Sequence, residues 1–317
     1  MSLQFSLIIP VYNRPAELEE LLQSLTRQTE RSFEVIVVED GSQNTSEEVV
    51  SRYADALTIH YHQKPNSGPG PSRNVGFTLA RGAYFIILDS DCIAPPSYLA
   101  VIRDHLAQDP LDAWGGPDKG HSSFTPLQQA MAYTMSAMLT TGGIRGNKRA
   151  SANFQPRSFN MGVSRKVWEV TGGFQLDRFA EDIEWSIRIR KGGFRVGLIE
   201  SAFVYHKRRT TLTAFFRQVW NFGKGRVLVG KAHPHEVKLT HWLPAVFTLG
   251  VLTVLLLAVA GSVLGFLGLT GLTVYVLALI AGAYQETHSV RTALLAVPCA
   301  FVQLGGYGLG FLSAYFR

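Results

Sequence analysis

Cysteine is nearly missing from this 317-residue chain. Cys92 and Cys299 are the only two, too few for a disulfide framework and compatible with a reducing compartment. A secretion signal is missing as well: Met1-Ser2-Leu3-Gln4 leads straight into an apolar strand pattern, without a basic n-region, an apolar h-region or a cleavage site. A general basic coat is also lacking. The formal net charge is +6, yet Lys207 to Trp242 alone carries +7, from Lys207, Arg208, Arg209, Arg217, Lys224, Arg226, Lys231 and Lys238 against Glu236. The remainder is close to neutral, which argues against a nucleic-acid partner.

Charge disappears altogether from Leu243 to Tyr284, where there is no Asp, Glu, Lys, Arg or His. As one helix that run would be roughly 63 Å long, about twice a hydrocarbon core. It therefore predicts two membrane spans, turning in the Gly-rich stretch Gly261 to Gly271. Gln285 to Arg291 reads as a polar loop, and Thr292 to Phe316 is uncharged and long enough for a third span. The basic stretch abuts the first span, so the positive-inside rule places it on the cytoplasmic face, where it can meet anionic head groups. A multi-pass protein of the cytoplasmic membrane is expected, divided into residues 1–206, a basic amphipathic juxtamembrane segment 207–242, and membrane helices over 243–317.

What the first two hundred residues do contain is alternation. Phe5 to Val11, Phe33 to Val38, Leu57 to Tyr61 and Ala83 to Leu88 read as strands. Between them, Pro15 suits a helix N1 position ahead of Leu18, Leu21, Leu22 and Leu25, and Asn44-Thr45-Ser46 opens another helix with Glu47 and Glu48 in its first turn. A loop at Asn66 to Pro71 precedes a third helix through Asn74 and Phe77. This pattern predicts an α/β domain on a mostly parallel sheet. Further on, helices are expected near Pro95 to Gln108, Thr125 to Leu139, Ser164 to Val170 and Ala180 to Lys191. Strands are expected at Ala113 to Pro117 and Phe194 to Glu200, with a Gly- and Arg-containing loop over Thr140 to Phe159.

The apolar run Ala83 to Leu88 ends in Asp89-Ser90-Asp91. Alternation along a strand lets both acids point one way, and ligands gather beyond the carboxyl ends of strands in open α/β sheets. Two acids there can cradle a hard divalent cation; a loop cap with a solvated acid is the plainer reading of the tripeptide alone. Asp40 closes the second strand in the same manner. Gly68-Pro69-Gly70-Pro71-Ser72-Arg73 imitates half of a dinucleotide fingerprint, but the third Gly is missing and the loop follows the third strand, so a nicotinamide site is disfavoured.

Taken in order, Ile8-Ile9-Pro10-Val11-Tyr12-Asn13-Arg14, Val37-Val38-Glu39-Asp40-Gly41-Ser42, Asn66-Ser67-Gly68 with Ser72-Arg73-Asn74-Val75-Gly76, and Asp89-Ser90-Asp91 resemble the inverting family 2 glycosyltransferases of GT-A fold. Phe159-Asn160-Met161-Gly162, Gly172-Gly173-Phe174 and Glu181-Asp182 resemble that family's acceptor-side segment and late acidic pair. The resemblance covers about residues 5 to 230. It implies a Rossmann-like catalytic domain and a nucleotide-diphosphate-sugar donor. On it, Pro10, Tyr12, Asp40, Arg73, Asn74 and Asp89 would bind the nucleotide. Asp89, Asp91 and His206 would hold Mg²⁺ or Mn²⁺, with Asp91 preferred over Asp89 as direct ligand and a surface histidine the alternative for His206.

The same resemblance makes Asp182 the base that deprotonates the acceptor hydroxyl, with Glu181 orienting it or touching the acceptor. Without the upstream motifs, Glu181, Asp182 and Glu184 would simply be acids enriching a helix start. Asn160 falls on the acceptor side, and Trp185 could stack on a sugar or pack in the core. Arg217, Gln218 and Trp220 lie in a stretch resembling the post-catalytic segment of membrane-bound polysaccharide-assembly enzymes, where they would meet the acceptor or a diphosphate. Processive synthases carry Gln-x-x-Arg-Trp near here; this chain has Gln218-Val219-Trp220-Asn221, which argues against polymer extrusion. The expected reaction is one inverting sugar transfer to a membrane-borne, polyprenyl-diphosphate-linked acceptor in surface polysaccharide assembly. Transfer to polyprenyl phosphate is the nearest rival, and a non-catalytic membrane scaffold that keeps a sugar-nucleotide fold is the rival from another class.

Overall fold

The computed structural model describes residues 4–121, 124–141 and 154–317. Two units emerge, one built from residues 1–121 and 150–207, the other from 122–149 and 208–317.

The first unit is built on a seven-stranded sheet. In chain order its elements are β1 (Phe5–Val11), α1 (Pro15–Leu25), β2 (Phe33–Asp40), α2 (Glu47–Ser51), β3 (Ile59–Lys64), α3 (Pro69–Leu79), β4 (Tyr84–Leu88), β5 (Cys92–Ile93), α4 (Tyr98–Gln108), β6 (Ala113–Gly115) and β7 (Asp118–Lys119). The other unit's α5 (Pro126–Ser136) and α6 (Met138–Thr141) intervene before β8 (Asn160–Ser164), α7 (Arg165–Thr171), α8 (Glu181–Lys191), β9 (Val196–Leu198) and β10 (Val204–His206). The sheet order is β3-β2-β1-β4-β8-β6-β9. β1 pairs in parallel with β2 and β4, in a register that sets Ile8 between Ile36 and Ile87. β8 is antiparallel to both β4 and β6.

Sequence pattern explains why both faces are covered. β1, β2 and β4 are apolar at successive positions, as strands buried on two sides must be. Leu7, Ile9, Val35 and Val37 pack with Leu18, Leu22 and Leu99 on one face, while Ile8, Ile36, Phe85 and Ile87 pack with Phe77, Val167 and Trp185 on the other. The third strand runs Ile59–Lys64 rather than Leu57 to Tyr61: Leu57 is buried in the turn before it, and the half-exposed β3 is an edge strand with little apolar signal. β8 is a strand the sequence did not announce, since Asn160 to Ser164 has no apolar run. It fits only because Gly162 leaves room for Trp114, whose ring atoms would lie 2.1 Å from a Cβ at that position. A small three-stranded sheet, β5-β10-β7, folds over the end of β4 and brings Asp91, His206 and Asp118 near one another.

The second unit is helical. Thr125 caps α5 by accepting a hydrogen bond from the Gln128 amide. The sequence placed Thr125 to Leu139 within residues 1–206; its Ala130, Met131, Tyr133 and Met135 instead share a core with Phe215, Val219, Leu279, Ala296 and Cys299. The unit continues with α9 (Leu212–Ala232), α10 (Leu243–Val259), α11 (Val263–Thr287) and α12 (Val290–Tyr315). Among the described residues, three helices are long and apolar enough to cross a membrane: Leu239–Val259, Val263–Thr287 and Val290–Tyr315. The turn between the first two falls at Ala260 to Ser262, the start of the Gly-rich stretch; helix α11 absorbs the rest of those glycines and the first three residues of the expected polar loop, and α12 takes its last two.

If Gly162 admits Trp114 as the register indicates, Gly162→Ala should destabilise the first unit by about 1–3 kcal/mol through overpacking. The measurement is the chemical-denaturation midpoint; an unchanged midpoint would show that the ring can move aside.

Candidate active site

Three acids sit where the parallel strands end. Asp40, the last residue of β2, is almost fully buried. Its Oδ1 accepts from the Ser67 amide at 2.9 Å and from Lys64 Nζ, and its Oδ2 accepts from the Gly68 amide at 2.8 Å. Burial alone would raise this carboxyl, but Lys64 and the two amides together hold it below the usual carboxylate range. Gly68 adopts φ +104°, outside the range of side-chain-bearing residues, and a Cβ on Gly70 would lie 2.2 Å from the Leu176 carbonyl oxygen. The loop before α3 therefore needs its glycines to close on Asp40 and on the segment preceding α8. Arg178 reinforces that closure with a hydrogen bond to Asn66 Oδ1.

Past β4 the two acids of Asp89-Ser90-Asp91 part company. Asp89 Oδ1 accepts from Arg73 Nη2 at 2.8 Å, and Arg73 Nη1 reaches Glu181 Oε1 at 2.8 Å. Arg73 is only 3% exposed. Burial disfavours its charge, yet Asp89 and Glu181 more than offset that and push its pKa up. Glu181 responds differently: burial pushes its carboxyl up against the pull of Arg73, and the neighbouring Asp182 charge adds to the rise. Asp91 is buried and ion-paired with Arg14 from the loop after β1. Burial works against the Arg14 charge too, and Asp91 reverses it. From the other side His206 Nε2 stands 3.1 Å from Asp91 Oδ1, with His206 Nδ1 4.0 Å from Asp118 Oδ2.

Asp91, Cys92 and His206 offer donor atoms within 4.8 Å of one another. The Cys92 thiol is fully buried, hydrogen-bonded toward the Phe159 carbonyl at 3.5 Å and pushed up by that burial, so it stays protonated and is a poor ligand. What remains is one carboxylate oxygen and one imidazole nitrogen, with the Asp118 carboxylate 4.0 Å from the ring's other nitrogen. That donor chemistry fits a divalent ion of the Mg²⁺ or Mn²⁺ kind. Asp89 stands outside the cluster, drawn off by Arg73.

Asp182 is the second residue of α8, whose cap Ala180 is a non-glycine residue at φ +57°. Such backbone costs on the order of 1–3 kcal/mol and is characteristic of functional positions. The Asp182 carboxylate accepts from the Ile183 amide at 2.8 Å and the Ser158 amide at 3.2 Å, with Arg157 Nη1 at 3.5 Å. Arg157, Ser158 and Asp118 are contacts that no local motif marked in the sequence, and Arg14 closes a motif there without a role assigned to it.

Other expected site residues turn out to have structural work. Asn74 spends both ends of its amide on the Phe174 backbone, donating to the carbonyl at 2.8 Å and accepting from the amide at 2.9 Å, so it fixes the Gly172-Gly173-Phe174 turn instead of lining a nucleotide pocket. Asn160 is 1% exposed, accepts from Tyr98 Oη and donates to the Ala202 carbonyl; it ties β8 to α4 and to the turn before β10 and has no open face for an acceptor. Trp185 is fully buried against Phe77 and Phe174 with its Nε1 on Thr171 Oγ1, which leaves no ring face for a sugar. Pro10 is half-buried in β1 beside Val38, and Tyr12 is 51% exposed just beyond it. Arg217, Gln218 and Trp220 belong to α9 of the helical unit, where the Trp220 ring packs on Phe216 and under Lys224. Of the loop Thr140 to Phe159, residues 142–153 lie outside the described residues.

Comparison with known proteins adds a frame. The profile of Glycosyl transferase family 2 matches residues 6–170. An uncharacterized glycosyltransferase of Rickettsia felis is 41% identical over 86 residues, which is 27% of this chain and 14% of that protein. Validoxylamine A glucosyltransferase of Streptomyces hygroscopicus subsp. jinggangensis is 38% identical over 126 residues, 38% of this chain and 30% of that one. In these curated relatives the matched part spans well under half of their own length. Among solved structures, the mannosyltransferase PcManGT from Pyrobaculum calidifontis, in complex with GDP-Man and Mn²⁺, superposes with a TM-score of 0.68 over 95% of this chain and 87% of that one, at 19% identity. At that identity the likeness is one of fold, and the fold is of the GT-A kind.

Two outcomes follow from the electrostatics. Arg73→Met strands the buried Glu181 carboxylate and should cost about 3–5 kcal/mol of stability, read by denaturant unfolding. Asp40 has a folded-state pKa below its ordinary 3.8, so its stabilisation is complete above that value and is lost as pH falls through the lower folded one. The stability gap between the native chain and Asp40→Asn should thus be constant near neutrality and close in acid; a gap that widens in acid would refute the assignment.

Proposed function

The chain belongs to glycosyl transferase family 2, and from that premise we propose that it moves a sugar, with inversion, from a nucleotide-diphosphate-sugar to a membrane-borne acceptor linked to polyprenyl diphosphate, in the assembly of a surface polysaccharide. The observation that carries the reading is the buried link Asp89–Arg73–Glu181. It ties the acid at the end of β4 to the acidic pair that opens α8, so a donor group held at the first is registered against a base at the second.

Each residue then has a task. Asp40 holds the Ser67-Gly68 amides in place, and with Tyr12 and Pro10 it frames the pocket for base and ribose. Asp89, kept by Arg73, accepts from the ribose. Asp91 and His206 would hold Mg²⁺ or Mn²⁺, with the Asp118 carboxylate near the far side of the His206 ring. A divalent cation there supplies positive charge against the negative charge that grows on the departing nucleoside diphosphate. Asp182 takes the proton of the acceptor hydroxyl as its oxygen attacks the anomeric carbon from the face opposite the leaving diphosphate. Its three donors, Ile183, Ser158 and Arg157, aim the carboxylate. Arg14 neutralises Asp91 while the donor is away.

The acceptor is argued from composition. A chain with helices long and apolar enough to cross a bilayer, and a basic stretch before them, meets lipid-linked substrates at the cytoplasmic face of the membrane. The polyprenyl diphosphate adds an anionic group for which Arg217, Lys224 and Arg226 are suited partners.

The test is release of nucleoside diphosphate by detergent-solubilised protein with a donor panel. Turnover should vanish with EDTA and return with Mn²⁺ or Mg²⁺, and Asp182→Asn should lower kcat by roughly 10²–10⁴ with unfolding unchanged. Label recovered in a diphosphate-linked saccharide supports the acceptor. Label in a monophosphate lipid replaces it with polyprenyl phosphate, and no turnover with any donor would leave a non-catalytic scaffold.

A further inference from the structure

Composition qualifies α12 as a third membrane span, but its contacts do not run as a third span's should. The α10–α11 hairpin is antiparallel: Gly265 packs on Leu257 and Ala258, Gly268 on Val254, and the Tyr275 ring on Phe247 at 5.5 Å. A helix that follows α11 and crosses back would run alongside α10 in the same direction and finish at the hairpin tip, near Val259 and Val263. Helix α12 goes elsewhere. Its Phe301 meets Phe247 at 5.7 Å, Leu304 approaches Thr248, and Gly308 sits on Pro244 and Ala245. Phe311 and Tyr315 close on Trp242 at 4.9 and 4.7 Å. Gly308 also meets Thr248, so α12 holds Phe247 and Thr248 over its middle turns and then passes Ala245 and Pro244 to Trp242, just before the first residue of α10. The last turn of α12 therefore ends at the base of the hairpin, 17 residues of α10 away from the tip.

Exposure tells the same story. From Leu249 through the tip to Ala278, Gly265 is the one buried residue. Leu256, Val259, Val263 and Leu267 are 72%, 89%, 73% and 63% exposed. A third span would have covered a side of this hairpin along its length.

What α12 does lie along is α9. Phe216 and Val219 pack on Gly306, the Trp220 backbone on Gly310, and Gly223 on the backbone of Tyr307 and Phe311. Glycines on both helices allow backbone-to-backbone approach. Helix α9 also carries Arg217, Lys224, Arg226 and Lys231. Were α12 a span, this companion would take four cations through hydrocarbon, the costliest place for them.

We infer that α10 and α11 alone cross the bilayer, and that α9 and α12 lie together in the head-group layer of one leaflet, an interfacial pair whose partner is the lipid surface itself. The cations of α9 then face phosphates, the apolar side of α12 rests on the acyl boundary, and residue 317 stays on the same side of the membrane as α9. The inference rests on membrane insertion and not on the reaction proposed above, so it stands or falls without an activity assay.

Single-cysteine reporters in the full chain decide it; Cys92 and Cys299 are buried and stay silent to labelling. Lys231→Cys, Ala260→Cys and Arg317→Cys, all at exposed positions, are treated with a membrane-impermeant maleimide in sealed vesicles of known orientation. The expected result is that the reporters at 231 and 317 label from one side and the reporter at 260 from the other. Labelling of the 317 reporter together with the 260 reporter, or of all three from one side, overturns the inference.

Discussion

Arg73 carries a full charge into a place that water barely reaches, and it is stable there only because two carboxylates converge on it from distant parts of the chain. Neither partner is optional: a buried guanidinium with one acid removed is an uncompensated charge, and a buried acid without the guanidinium is another. The rest of the catalytic unit can be read as what this requirement imposes. Helix α3 must start early enough to present Arg73, which needs Gly68 and Gly70 to pass close beneath the segment before α8. Helix α8 must begin with Glu181 inside the protein, which forces Ala180 into left-handed backbone. Phe174 lies 5.3 Å under the guanidinium and is itself held by Asn74. The strain and the glycines are consequences of where one charge had to go.

Charge neutralisation is also what separates the two acids after β4. They are one residue apart and look equivalent on paper, yet Asp89 is drawn to Arg73 while Asp91 turns toward Arg14 and His206. The division follows from the short strand β5 directly after Asp91, which pairs with β10 and so fixes the acid beside His206. A second sheet of only three strands thus converts a repeated acid into one group suited to an organic hydroxyl and one suited to a hard cation. Asp118 backs the histidine from β7 in the same small sheet.

Much of this was legible in the sequence, and the misses have a common cause. The parallel strands β1, β2 and β4 were plain because burial on two faces writes a mostly apolar run, and the acids that end β2 and follow β4 were plain because they close such runs. Strand β8 was invisible because its geometry depends on a glycine accommodating a tryptophan from β6, a fact about two segments and not about either one. Asn74, Asn160 and Trp185 look like binding residues by type, yet each satisfies a hydrogen-bond or packing demand that only the folded chain creates. Arg14 and Arg157 point the other way: local pattern gave them no role, and long-range contact places them on Asp91 and Asp182.

The helical unit shows the same limit on a larger scale. Hydropathy answers whether a segment tolerates lipid, and by that measure α10, α11 and α12 are alike. It says nothing about what a helix must carry alongside it. Helix α10 packs on α11 and, in its first turns, on α12, and leaves most of its remaining surface exposed. Helix α12 is bound through glycines to a cationic neighbour, so its depth is set by the position that neighbour's charges can tolerate. Apolar content gives permission to enter the membrane; the most polar partner in the packed assembly decides how far.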